Sequence, residues 1–156
     1  MSADNAPNFL KRTFNSPRRN NDLMKMAIVV ARVMLGLIFV VFGLNGFFLF
    51  ITPPGHTATG GAFINLLVAT GFMYFEKSLE IIGGATLLSD NYVPLGLSIL
   101  APIVVSIFLF HLLMERYMLL VGSILLLLWA FLAWAYRQYF AGLFVRRTET
   151  KKLARF

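Results

Sequence analysis

The sequence predicts an all-α integral membrane protein: a four-helix up-down bundle with a short interfacial helix between spans 1 and 2. Three observations carry that prediction. Residues 26–51, 93–114 and 117–136 are almost wholly apolar runs, and at ~1.5 Å per helical residue about 20 residues cross the ~30 Å hydrocarbon layer. Hydrophobic residues make up 58% of the chain and charged ones 13%, well below the roughly 25% of a soluble domain. The third observation is where the charge lies. Of fourteen Lys and Arg, six are N-terminal (Lys11, Arg12, Arg18, Arg19, Lys25, Arg32) and six follow the last run (Arg137, Arg146, Arg147, Lys151, Lys152, Arg155). Only Lys77 and Arg116 lie between. The positive-inside rule then makes both termini cytoplasmic, and matching ends require an even number of spans.

Residues 1–25 read as a basic cytoplasmic tail lying against anionic headgroups. Span 1, residues 26–51, carries Arg32 as its only charge. It is too long for a signal-peptide core and no small-residue cleavage site follows, so it reads as an uncleaved signal anchor. Parity places a fourth span between residues 53 and 92. There Gly60 and Gly61 lead into AFINLLVATGFMY, too short to cross and suited to an interfacial or re-entrant helix. Residues 72–88, FMYFEKSLEIIGGATLL, supply span 2 despite Glu76, Lys77 and Glu80. One tilted helix over 62–88 is the alternative division. Ser89, Asp90 and Asn91 make the inner turn into span 3, residues 93–114, which Pro102 bends by freeing the Ser98 carbonyl. Glu115 and Arg116 make the outer turn, leaving His56 and Arg116 outside. Span 4 is residues 117–136, which completes a domain over 26–140. Residues 141–156 form the second basic cytoplasmic tail. Such short turns make neighbouring helices antiparallel.

The net charge of +7 therefore belongs to the membrane ends, and nucleic acid is not among the expected partners. With no cysteine in the chain, disulfides, thiol relays and Cys-ligated clusters are excluded. His56 and His111 are the only histidines, too few and too far apart for a haem held within the membrane. No P-loop, zinc-protease or serine-hydrolase motif occurs. No cofactor is expected to be bound covalently or through metal ligands.

What remains is a set of polar residues at membrane depth. Asn45 lies six residues before the outer end of span 1, hence ~9 Å deep. Glu80 in span 2, His111 in span 3 and Ser123 in span 4 fall in the same outer layer. An ionised carboxylate in lipid costs at least ~2.5–3.5 kcal/mol, so Glu80 should face protein, pair or take up a proton. Lys77, three residues away, is its local partner. Glycines accompany the polar positions: Gly43 and Gly46 flank Asn45, while Gly83 and Gly84 share a helical face with Glu80. These four are expected helix-packing sites, because small residues let helices approach closely. Asn45, Glu80 and His111 are the candidate ligands for a quinone or lipid headgroup. Against this stand plainer roles: Glu80 as a neutralised structural carboxylate, Asn45 as interhelical glue, and His111 paired with Glu115. Trp134, Tyr136 and Tyr139 read as an inner-face aromatic belt.

Over residues 31–144 the chain resembles the DoxX-like family of small four-helix bacterial membrane proteins. The resemblance rests on Ala31-Arg32-Val33-Met34-Leu35-Gly36 with Gly43-Leu44-Asn45-Gly46, and on Leu79-Glu80-Ile81-Ile82-Gly83-Gly84. Val93-Pro94-Leu95, the segment from Pro102 to Phe110-His111, and Leu132-Ala133-Trp134-Ala135-Tyr136-Arg137 extend it. Ser106 stands where relatives often carry asparagine. The resemblance implies a four-span bundle in the bacterial inner membrane. It also implies a link to quinone-dependent respiratory and sulfur-oxidising enzymes, although most members have no assigned reaction. Without cysteine or metal ligands, the chain is expected to be a non-catalytic accessory or structural subunit of a larger membrane complex linked to electron transfer. Its expected partners are lipids and other membrane-protein subunits. The alternatives are a quinone- or lipid-binding oxidoreductase component and a small-solute transporter.

Overall fold

Asn45 ends the first helix. Its amide donates to the Ile51 carbonyl (3.1 Å) and its side-chain oxygen accepts from the Ile51 N–H (2.6 Å), which folds the chain back once Leu49 takes a φ of +50°. Helix α1 therefore covers Pro17–Phe48, starting nine residues before the expected span and stopping three residues short of its expected end. A proline in the first turn favours this early start. The computed structural model describes residues 17–51 and 55–140. Residues 1–16 and 141–156, which make up most of the two expected basic tails, lie outside them.

Helix α2 spans Ala58–Ala69. It begins four residues before the expected apolar stretch because Thr57 caps it, its hydroxyl accepting from the Gly60 N–H at 3.1 Å. Both Gly60 and Gly61 are thus helical. At Gly71 the backbone turns left-handed, with φ +77°, and α3 (Phe72–Leu88) leaves at 87° to α2. A single tilted helix over 62–88 does not form, since a left-handed residue cannot continue a right-handed helix. The chain continues through α4 (Val93–Leu113), a 3-10 turn (Arg116–Met118), α5 (Leu119–Ala135) and a final turn, α6 (Arg137–Phe140).

Close contacts fix an antiparallel register. Gly36 of α1 meets Gly84 and Leu88 of α3, and Gly43 meets Lys77 and Ile81. Between α3 and α4, Gly83 faces Leu100 and Gly96 faces Thr86. Gly122 of α5 lies against Phe108 and His111 of α4, and Trp129 Nε1 donates to the Leu97 carbonyl at 2.9 Å. The four long helices thus form an up-down bundle. Leu35, Phe39, Leu87, Leu97, Leu100, Val104 and Leu132 are fully buried at its centre. Val30, Leu37, Phe42, Ile82, Leu95, Leu120 and Leu127 are exposed around its outside. An apolar exterior of this extent suits lipid, not water. Helix α1, helix α4 and the segment Arg116–Ala135 are each long and apolar enough to cross a membrane. Helix α3 is shorter, with 17 residues, and completes the bundle by packing between α1 and α4.

The bundle has two distinct ends. The start of α1, helix α6 and the α3–α4 turn sit at one end, the tail end; α2 and the α4–α5 turn sit at the loop end. At the tail end the buried Arg32 of α1 forms an ion pair with Asp90 in the α3–α4 turn. Asp90 and Tyr92 both take positive φ, +60° and +56°, so the turn holds the carboxylate over an otherwise buried cation.

Candidate functional site

The loop end contains a cavity of about 320 Å³ between α2, α3 and α4, within the roughly 300–1,000 Å³ range of small-molecule sites. Helical spacing builds its walls. Met73, Glu76, Lys77 and Glu80 recur at steps of three and four along α3, and Ser106, Ile107, Phe110, His111 and Met114 do so along α4, so each set shares one face. Helix α2 lies across the loop end and adds Phe63, Ile64 and Leu67.

Glu80 is fully buried, 1% exposed, and its Oε1 accepts from Lys77 Nζ at 2.7 Å. The glycines of α1 make room for this pair. A Cβ on Gly43 would stand 3.2 Å from Glu80 Cβ, and one on Gly46 would stand 2.8 Å from Lys77 Cδ. The lysine stem therefore runs along α1 with its ammonium turned back to the carboxylate. The glycine pair of α3 divides its work: Gly84 packs on Gly36 and Val40 of α1, whereas Gly83 packs on Leu100 of α4.

His111 lies 2.7 Å from the Ile107 carbonyl through Nδ1. A carbonyl only accepts, so Nδ1 donates, and in the neutral ring Nε2 is left as an acceptor. Ser98 and Ser123 turn their hydroxyls back onto the carbonyls of Pro94 and Leu119. Ser106 has no such bond among the described residues and lines the cavity. The site thus offers an ammonium and a hydroxyl as donors, carboxylates and an imidazole nitrogen as acceptors, and apolar walls around them.

Of the three candidate ligands, Glu80 and His111 line this one cavity. Asn45 lies outside the lining, its amide occupied with the Ile51 backbone. Glu76, Lys77 and Ser106 are additional members. For Glu76 and Lys77 the signal was present in the sequence, since positions four and three before Glu80 share its face.

Glu115 had no comparable signal. It is 1% exposed and holds a segment nearly sixty residues earlier in the chain. Its Oε1 accepts from the Thr57 N–H at 2.9 Å and lies 3.3 Å from both the Thr57 hydroxyl and His56 Nδ1. The Thr57 hydroxyl also reaches the Met114 carbonyl at 3.0 Å, and the Tyr117 hydroxyl donates to the Gly55 carbonyl. A Cβ on Gly60 would fall on Glu115 Oε1, so only glycine lets α2 approach so closely. Burial pushes the Glu115 carboxyl up. The Thr57 N–H, the Tyr117 hydroxyl, His56 and the Thr57 hydroxyl outweigh it and hold the pKa below the ordinary carboxylate value. Glu115 thus serves the start of α2, and His111 its own helix.

Comparison with protein-family models gave no match, and neither curated proteins nor solved structures gave one. The chain's own residues define it as a small all-α membrane protein with a half-open, part-polar cavity between three of its helices.

Proposed function

We propose that this protein binds a lipid-phase amphiphile, of the quinone class, as a small non-catalytic accessory subunit of a bacterial inner-membrane complex linked to electron transfer. The observation that carries the reading is the cavity itself, where Glu80, Lys77, Ser106 and His111 face a space walled by Phe63, Leu67 and Phe110. The oxygens of such a ligand would find donors in Lys77 and Ser106 and an acceptor in His111 Nε2. No cysteine occurs in the chain, so these residues would position the ligand or relay a proton while a partner subunit carries the electrons. The resemblance to the DoxX-like family supports the same reading. The charge distribution supports cytoplasmic tails, which would put the cavity in the outer leaflet.

The test is binding of a short-chain quinone to the purified protein in nanodiscs, by equilibrium dialysis. Saturable binding that weakens on Glu80→Gln and on His111→Ala supports the proposal. Absence of saturable binding removes it. A second reading, a purely structural subunit, is favoured by the Lys77–Glu80 bond, which leaves the buried carboxylate paired without any ligand. Co-migration with cofactor-bearing subunits in mild detergent, without quinone binding, would select that reading.

A further inference from the structure

The cavity has a wall that the bundle does not itself supply. Helix α2 contributes Phe63, Ile64 and Leu67 to it, yet its opposite face is bare, with Leu66 and Val68 exposed. One end of α2 is a sharp bend, at 87° to α3. Gly71 is left-handed, and the space beside it is open, with nothing within 4 Å of a Cβ built there. The other end is fastened to the α4–α5 turn: the Glu115 carboxylate gathers the Thr57 N–H, the Thr57 hydroxyl and His56, while the Thr57 hydroxyl also reaches the Met114 carbonyl and the Tyr117 hydroxyl donates to the Gly55 carbonyl. Between these ends, the contact of Phe63 with Phe110, at 5.9 Å between ring centroids, presses α2 onto α4.

We propose that α2 is a hinged lid over the Glu80–His111 cavity, latched shut by Glu115, and that releasing the latch admits a lipid-phase ligand from the loop end. Glu115 is a positioning residue: it does not line the cavity and acts only through α2. Its second carboxylate oxygen is buried without a hydrogen-bond partner among the described residues, so the latch is not fully satisfied when closed. That leaves less free energy to overcome on opening than a saturated carboxylate would. The lid rests on the cavity being the binding site, but its test is read without ligand.

Because the chain has no cysteine, a single introduced thiol reports alone. Met73→Cys places it on the cavity wall beside the lid, and Val93→Cys places it in the buried core at the other end of the bundle as control. Reaction with a small maleimide in nanodiscs is timed in the otherwise native chain and with Glu115→Gln. Labelling at Met73→Cys is expected to rise about tenfold in the Glu115→Gln background, the scale of losing one charge-assisted hydrogen bond, with Val93→Cys unchanged. Thr57→Val weakens the same latch from the lid side while keeping the carboxylate, and should raise the rate in the same direction. An unchanged rate at Met73→Cys in both backgrounds overturns the lid, as does an equal rise at both thiols, which would report loosening of the whole bundle. If labelling follows the latch but no quinone binds, the lid stands and the ligand assignment falls. If quinone binds but labelling ignores the latch, the reverse holds.

Discussion

The carbonyl oxygen of Gly36 lies 2.8 Å from the point where a Cβ on Gly84 would stand, and the Gly84 carbonyl lies 3.0 Å from the corresponding point on Gly36. Helices α1 and α3 therefore meet backbone to backbone, and the obstacle on each side is main chain. Gly84→Ala is expected to force the helices apart at a cost of about 1–3 kcal/mol, visible as a lowered Tm in mild detergent. Gly83→Ala meets the side chain of Leu100, nearest at 2.6 Å, and because Leu100 is fully buried this variant too should lower Tm. Leu127→Ala on the exposed face should leave Tm nearly unchanged.

The Lys77–Glu80 pair gives a double-mutant test. Lys77→Met leaves the buried Glu80 carboxylate without its partner and is expected to cost about 3–5 kcal/mol if the carboxylate stays ionised. Lys77→Met with Glu80→Gln should recover most of that loss, because a neutral amide no longer requires a counter-charge. A double variant no more stable than Lys77→Met alone would show that the loss does not come from stranding the Glu80 charge, since methionine keeps a stem of nearly the same length against Gly46.

At the tail end, Arg32 is 7% exposed and Asp90 is an exposed residue of the turn. Asp90→Asn keeps a side chain that tolerates positive φ but removes the negative charge. Its expected cost of about 1–3 kcal/mol would therefore measure the ion pair and not the turn. Thermal unfolding of Asp90→Asn beside Asp90→Gly separates the two effects.

The latch sets an acid limit. The folded pKa of Glu115 is below its unfolded value, so its contribution is complete above the unfolded value and is lost as pH falls through the folded one. Helix α2 should stay docked at neutral and mildly acidic pH and loosen only below about 4.5. A spin label on Leu66→Cys should gain mobility in that range, and the acid step should vanish with Glu115→Gln. His56 and Tyr117 are the other titratable groups against the carboxylate.

For topology, a reporter fused at Asn91 should read cytoplasmic, because the α3–α4 turn lies at the same end of the bundle as the start of α1 and as α6. An external signal there would overturn the proposed orientation.

The bundle was legible because hydrophobic run length is a direct reading of bilayer thickness, and because basic residues mark the ends. The boundaries were less so. Span 1 read from hydropathy ended at residue 51, whereas the helix ends at Phe48, since Asn45 bonds a backbone segment six residues on. The start of α2 was missed for the same kind of reason: Thr57 caps it, and hydropathy does not see a cap.

The sequence by itself determined the solvent, the all-α class and the three helices long and apolar enough to cross a membrane, because those follow from local composition and helical rise. Only the tertiary structure decided which polar residues meet. Asn45 shares the depth of Glu80 yet serves a turn, whereas Ser106 and Lys77 join the cavity through the rotation of their helices about their own axes. The fastening of α2 by Glu115 was likewise out of reach. Its partners are Thr57 and His56, far away in the chain, and no local periodicity records a contact made by folding a helix back at 87°.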